Sequence, residues 1–444
     1  MPPITRAGAT ALGPGRLEAP ERPGNQNGRN RMNEVDVVVI GAGSAGIGAG
    51  RRLAELRPDL SVVVLEATDR AGGRALTVEP VAGLPVDLGC GWLHGAKDNA
   101  WAHLAEESGF AISHALSSWD GGGRDLGLTR EDDAAATAAL ERFFERADER
   151  GAGEPDVPLS SLLEPENPWN GLIGAVGTFI NGVELERASL RDYYRYEPGR
   201  GPDTRVVAGY GRLLADTASH LDIRYGTTVQ GIDSTGSRLR VDADRGSVLA
   251  RAVVVTASTN MLAREQIRFT PALPAKVAAA TRLPLGLANK LFLSLPDPEA
   301  FQPETYLMGP ANRVRSGTYH LRPFGRPVIE CYYGGALARD LETAGKAASL
   351  AFAREELVRH VGPGLAGHME ALACSAWHGT PTIGGSYSYA EPGAWTERAV
   401  LAEAIDNRLF FAGEACSPHR YSTAHGAFET GVGVAEQIAD ALGR

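Results

Sequence analysis

The sequence predicts an α/β fold with a parallel sheet at its centre, and three stretches of the chain predict it. The apolar run Val37-Val38-Val39-Ile40 leads into Gly41-Ala42-Gly43-Ser44-Ala45-Gly46. A second apolar run, 62–65, closes on Glu66. Near the other end, Leu409-Phe410-Phe411-Ala412-Gly413-Glu414 precedes Tyr421-Ser422-Thr423-Ala424-His425-Gly426-Ala427-Phe428.

The first stretch has a mechanical reading. Gly41 takes backbone angles that a side chain forbids, Gly43 lets the backbone approach a pyrophosphate, and Gly46 lets the next helix pack against the strand. That helix, roughly Ala45 to Leu56 with Ser44 at its mouth, points its positive N-terminal end at the phosphates. Glu66 lies about 20 residues beyond Gly46, where an acid closing the second strand accepts hydrogen bonds from a ribose. A dinucleotide is the expected ligand. After Glu66 come Ala67-Thr68-Asp69-Arg70-Ala71-Gly72-Gly73-Arg74. Gly72 and Gly73 offer backbone N–H groups to phosphate, and Arg70 and Arg74 supply guanidinium groups.

These two motifs together resemble the flavin-containing amine oxidases: monoamine, polyamine and spermine oxidases, and histone lysine demethylases of the same fold. Their signature is the glycine turn followed by an LEAxxRxGGR stretch. The resemblance implies a Rossmann-like FAD domain of the glutathione-reductase type with an inserted α+β substrate domain. It implies FAD, a small-molecule amine and O2 as partners. The implied chemistry is hydride transfer from the amine α-carbon to flavin N5, imine hydrolysis to an aldehyde and an amine, and reduction of O2 to hydrogen peroxide.

Composition agrees. The 444 residues, 43% apolar and 22% charged, suit a two-domain globular enzyme. A net charge of −10 argues against nucleic acid and favours cationic substrates. No apolar run of about 18 residues is present, so no membrane anchor is expected. Cys90, Cys331, Cys374 and Cys416 show no metal or redox spacing, which points to reduced thiols in a cytoplasm. No metal site is expected; an oligomer is allowed.

The expected organisation is discontinuous. Residues 1–33, rich in Pro, Gly, Arg and Asn, read as a disordered extension, with Met32 a possible natural start. Residues 34–94, 204–283 and 386–444 form the cofactor domain, and 95–203 and 284–385 the substrate domain. Arg238-Leu239-Arg240-Val241 and Ala252-Val253-Val254-Val255-Thr256 read as strands of a second sheet layer on the nucleotide side. There the resemblance sets Val229 near the adenine. Thr256-Ala257-Ser258-Thr259-Asn260 stands where the family has a Pro-Leu-Gly turn.

Lys290 sits in the apolar strand around Leu287-Ala288-Asn289-Lys290-Leu291-Phe292-Leu293, either an edge-strand lysine or the family's lysine that holds a water beside flavin N5. Gly89-Cys90-Gly91-Trp92-Leu93-His94-Gly95 resembles the GAxWxHGxxxNP stretch of spermine and N-acetylpolyamine oxidases, with Cys90 for a small residue and Ala100 for proline. The match implies that Gly91 and Trp92 border the flavin and His94 the substrate amine, where an imidazole accepts its proton. The stretches around Trp377 and Tyr387 resemble the family's segment that approaches the flavin, and Tyr387 matches one wall of the monoamine oxidase aromatic cage. Thr423 stands where the other wall, usually tyrosine, would be, so the cage is half present as in polyamine oxidases. Ser386 stands at the position of the cysteine that bonds covalently to flavin elsewhere, so the FAD is expected to be noncovalent. Gly413 and Glu414 end a strand, where Glu414 can bind ribityl or phosphate-side hydroxyls. Ser422, Thr423 and Ala424 aim helix N–H groups at the ring, within a stretch close to the spermine oxidase YSTTHGA. Glu184, Glu186 and Asp192 read as solvated helix charges or anchors for distant ammonium groups. An L-amino acid oxidase, another oxidase or desaturase of the fold, and a noncatalytic flavoprotein scaffold stay open as alternatives.

Overall fold

The computed structural model describes residues 33–121 and 123–443. The expected disordered extension therefore lies outside the described residues except for Asn33, and so does Met32. Asn33 itself opens the first strand, Asn33–Ile40.

The buried runs of the sequence become the centre of an eight-stranded sheet. Its order is Arg268–Thr270, Val229–Asp233, Leu239–Ala243, Gly246–Val255, Asn33–Ile40, Val62–Leu65 and Ile223–Arg224, with Leu409–Phe411 also pairing with Gly246–Val255. The strands at 33–40, 62–65, 223–224, 246–255 and 409–411 run parallel to their neighbours in this group. Successive residues face opposite ways, so Val37 and Val39 enter one core and Val38 and Ile40 another. Ile47 and Leu53 of the helix Ser44–Leu56 and Val434, Ala435 and Ile438 of the C-terminal helix Ala424–Ala441 cover the first face. Ala279, Ala280 and Leu401 cover the second. Each such valine or isoleucine contributes about 1.5–3 kcal/mol by leaving water.

The two covering helices nearly touch. A Cβ on Gly431 would lie 2.0 Å from the Ala45 carbonyl oxygen. This contact ties two segments distant in sequence together near the C-terminal end of the strand Asn33–Ile40, where the glycine turn lies.

The expected second layer on the nucleotide side is not separate. Gly246–Val255 is long enough to pair with Asn33–Ile40 along one side and, through its first half, with Leu239–Ala243 on the other. Its length joins the antiparallel strands to the parallel ones in one hydrogen-bonded sheet.

A five-stranded antiparallel sheet lies within 284–385, in the order Thr305–Met308, Thr318–Leu321, Val328–Gly334, Ala288–Ser294, Ala371–Cys374. One face carries Leu291, Leu293, Tyr319, Leu321, Ile329, Cys331 and Tyr333 into a core under the helices Gly335–Ala344 and Lys346–His368. The opposite face, set by the two-residue period, carries the polar residues of the site.

Candidate functional site

One cavity of about 1290 Å³ runs from the glycine turn to the polar face of the five-stranded sheet. It exceeds the ~300–1,000 Å³ of an ordinary small-ligand site, so a dinucleotide and a substrate fit together. At the turn, Gly41 has φ +101° and a Cβ there would meet the Thr256 hydroxyl at 2.5 Å; a Cβ on Gly46 would lie 1.9 Å from the Gly41 oxygen. Thr256, in the stretch that departs from the family turn, donates to the Ile40 carbonyl at 2.7 Å and so closes the strand end. Gly72 N–H donates to the Ala42 carbonyl at 2.8 Å, which brings Gly72 and Gly73 against Gly43. The result is a cradle of backbone open to an anion.

Glu66 faces this cradle with its carboxylate already shaped. Oε2 accepts from Ala42 N–H at 2.7 Å, and Oε1 from the Thr68 N–H and hydroxyl at 2.8 and 2.7 Å. Ala67, Ser44, Ala45 and Val229 line the same end. The Ser44 hydroxyl donates to the Ala424 carbonyl at 2.5 Å and accepts from Trp101 Nε1 at 2.9 Å. It joins the two helix starts rather than standing free for a phosphate.

Arg70 departs from its expected phosphate role. Its guanidinium donates to the carbonyls of Gly73, Ala75 and Ala71, bracing the glycine turn from inside. Arg74 and Glu414, both expected on the ligand, are joined to each other at 2.8 Å, and Arg74 Nη1 also reaches the Ser386 carbonyl at 2.7 Å. Glu414 further accepts from Ser388 N–H and Oγ and from Ser422 N–H. A carboxylate buried this fully needs such donors. Burial pushes its pKa up, and Arg74, Ser388 and Arg398 more than reverse that. The residue sequence reasoning gave to a ribityl hydroxyl is thus a knot between three chain segments. Gly413, at φ +147°, gives the chain its turn before it, and Ser422 holds φ +63° after it.

The substrate wall is built by sheet register. Lys290 pairs with Tyr332, Tyr332 with Thr318 and Thr318 with Met308; beside this row runs Phe292, Glu330, His320 and Tyr306. Residues paired across antiparallel strands share a face. The strand of Lys290 is interior to the sheet, so the edge-strand reading of this lysine does not apply. Lys290 Nζ lies 2.7 Å from Glu330 Oε1, and Arg205 Nη2 lies 2.6 Å from Glu330 Oε2. All three side chains are buried. Burial alone would raise the Glu330 pKa; the charges of Arg205 and Lys290 hold it below the usual carboxylate range. Arg205 is packed between the Trp92 and Phe324 rings at 5.0 and 4.8 Å. Gly91 makes room for the lysine, since a Cβ there would lie 3.0 Å from Nζ.

Tyr387 closes the other side. Its hydroxyl donates to the Phe179 carbonyl at 2.6 Å and lies 2.9 Å from the Tyr332 hydroxyl. Trp377 both lines the cavity and belongs to the core beneath it, with Nε1 donating to the Leu88 carbonyl at 3.1 Å. The Ser386 hydroxyl donates to the Ala288 carbonyl at 2.8 Å and accepts from the Ala288 N–H at 2.9 Å. Both of its functions are committed to the strand of Lys290.

His94 Nδ1 lies 2.6 Å from Asp203 Oδ2, and Asp203 also accepts from Gly95 N–H and Trp119 Nε1. Burial raises the Asp203 pKa, and His94, Trp119 and the Gly95 N–H together outweigh it, leaving the carboxylate below its ordinary value. Thr423 caps the C-terminal helix, accepting from Gly426 N–H at 3.0 Å, and its neighbour Ala424 lines the cavity. His425 behind it is pulled down to about 3, by burial first, with the neighbouring His94 and Arg420 adding to it. Glu184, Glu186 and Asp192 stand off the cavity. Asp192 is buried in a two-pronged pair with Arg398 at 2.8 and 2.7 Å, and Glu184 accepts from Ala336 N–H. Among the described residues no cluster stands ready for a metal ion, and no helix is long and apolar enough to cross a membrane.

Sequence reasoning missed Glu330, Tyr332, His320, Tyr306 and Asp203. A charge inside the apolar run Val328-Ile329-Glu330-Cys331 was the one local signal of a buried ion pair.

Comparison with known proteins gives consistent findings. A family profile described as flavin containing amine oxidoreductase matches residues 123–439, and one for an NAD(P)-binding Rossmann-like domain matches 39–108. Polyamine oxidase 2 of Arabidopsis thaliana is 31% identical over 92% of this chain and 89% of its own length. Polyamine oxidase 3 of Oryza sativa subsp. japonica is 28% identical over 93% and 90%. A solved structure of a putrescine oxidase redesigned for cofactor binding superposes with a TM-score of 0.73 at 19% identity, covering 92% of this chain and 99% of that one, a likeness of fold.

Proposed function

The chain belongs to the flavin-containing amine oxidoreductases and uses FAD to oxidise an amine, and from that premise we propose a polyamine-type oxidase that reduces O2 to hydrogen peroxide. The observation that carries the reading is Lys290, held by Glu330 in an interior strand and presented to the same cavity as Tyr332, Tyr387 and His94.

The glycine cradle and the helix starting at Ser44 would hold the pyrophosphate, Glu66 a ribose, Val229 the adenine side, and the start of the helix at Ala424 the ring. Bound FAD supplies the two-electron acceptor for the carbon–nitrogen oxidation. The protein's own share is orientation and a proton. Asp203, kept ionised, takes the Nδ1–H of His94 and leaves Nε2 with its lone pair for the substrate ammonium. The Tyr332 and Tyr387 hydroxyls are tied to each other and to Phe179, so their rings are fixed walls for an amine.

Noncovalent FAD is supported by the committed Ser386 hydroxyl and by Cys90, the cavity thiol, which burial pushes up to about 12. Acid precipitation should release all the flavin to the supernatant. We place the protein in the cytoplasm on its four free thiols.

Peroxide release is to be measured over spermine, N-acetylspermine, putrescine, tyramine and L-amino acids. Turnover of the di- and polyamines is expected. Silence on every amine, with a flavin that dithionite still bleaches, overturns the reading.

A further inference from the structure

One cation on the cavity wall has no anionic partner. Arg124 lines the cavity together with Lys290, Tyr332 and Thr318. Among the described residues its one polar contact is Nη1 at 3.6 Å from the Met308 sulfur, a weak acceptor. Burial pulls its pKa down, and no neighbouring carboxylate opposes that. The adjacent Asp125 is engaged elsewhere, accepting from Gly127 N–H at 2.7 Å and lying 3.6 Å from His360 Nδ1. Arg70 and Arg74, the other guanidinium groups on this wall, are bound to carbonyls and to Glu414. A desolvated lysine or histidine escapes by losing its proton, but a guanidinium stays charged. Half-buried and unpaired, Arg124 is incomplete without an anion.

Sheet register says how far this cation is from the chemistry. The row Lys290, Tyr332, Thr318, Met308 crosses four neighbouring strands. Three strand spacings of about 4.8 Å set the Met308 position about 14 Å from that of Lys290. An amino acid's α-carboxylate is bonded to the carbon that is oxidised, so Arg124 is too remote to receive it. Between the two ends the wall is Tyr332 and Thr318, with the Phe179 ring edge-on to Tyr332 at 5.9 Å; Val176 also lines the cavity.

We infer that Arg124 receives a carboxylate at the far end of the amine substrate, on the order of nine bonds from the oxidised carbon: about 14 Å, less about 3 Å for the hydrogen bond to the guanidinium, at roughly 1.2 Å advance per bond. This rests on the amine oxidase reading and narrows it. The substrate class becomes a long primary or secondary amine with an acidic tail, rather than a plain diamine.

The test uses the FAD-loaded enzyme with 8-aminooctanoate, 1,8-diaminooctane and octylamine, read as kcat/KM from peroxide release. The wild type should favour the aminocarboxylate over the diamine by about tenfold or more, the worth of a charge-assisted hydrogen bond. Arg124→Glu should reverse that order, and Arg124→Lys should recover part of it. Octanoate, which has no amine to oxidise, should compete with octylamine and perturb the flavin absorbance of the wild type, a readout that needs no variant to fold. A wild type that favours the diamine, an Arg124→Glu enzyme with the original order, or no effect of octanoate would each overturn the assignment. Oxidation of the diamine alone, or of none of the three while spermine or putrescine still releases peroxide, rejects Arg124 as receptor and spares the amine oxidase reading; silence on those amines as well rejects both.

Discussion

The two ends of the cavity are built in opposite ways. At the nucleotide end the working groups are backbone, offered by a glycine turn, a second glycine loop and two helix starts, and the side chains there mostly brace the turns. At the substrate end the working groups are side chains: Lys290, Glu330, Tyr332 and His320, gathered by pairing across three strands, and Arg205, brought in from a separate strand. A backbone cradle depends on close approach, so it fails through added atoms. A register-built wall depends on charge balance in a dry place, so it fails through removed charges. Substitutions at the first end should therefore change how much FAD is held, and those at the second should change turnover or stability with FAD still bound.

The largest effect should come from Lys290→Met. Substrate-dependent bleaching in anaerobic stopped flow is expected to slow by about 10²–10⁴-fold, with FAD per chain equal to the wild type. Loss of FAD instead would mean that the two ends are not separable. Glu330→Gln comes next. It leaves two buried cations without their anion, a loss of about 3–5 kcal/mol that a denaturant titration at pH 7 would read. Because the folded pKa of Glu330 is depressed, its stabilisation is present above the ordinary carboxylate value near 4.3 and is lost as pH falls below it. The wild-type melting temperature should drop along that acid limb more steeply than that of the variant.

A smaller loss is expected at the cradle. Gly46→Ala forces a methyl against the Gly41 carbonyl, costing about 1–3 kcal/mol. The purified protein should carry less FAD, while turnover per bound flavin stays near normal. Full FAD content would break the backbone account of this end. The mildest is Asp203→Asn, which frees the His94 tautomer. We expect about a tenfold fall in kcat/KM, the worth of one charge-assisted hydrogen bond, and a changed pH profile. An unaltered profile would remove His94 from proton transfer.

The chain by itself determined the features that are local. Gly41 to Gly46, Glu66 and the apolar strand before them carry their meaning in sequence spacing, because a turn and a helix start are made by neighbours. The same holds for the helix start near Thr423. Even there, tertiary packing changed assignments: Arg70 turned inward to carbonyls, Glu414 met Arg74 from 340 residues away, and Arg238 to Val241 joined the main sheet instead of forming a second layer. Only the folded structure decided the substrate end. Lys290 was visible as a lysine in an apolar strand, but Glu330, Tyr332, Arg205 and Arg124 reach its surroundings through strand register and chain crossings. Side chains converging from distant segments leave no local period to read, and burial of their charges is a property of the folded interior alone.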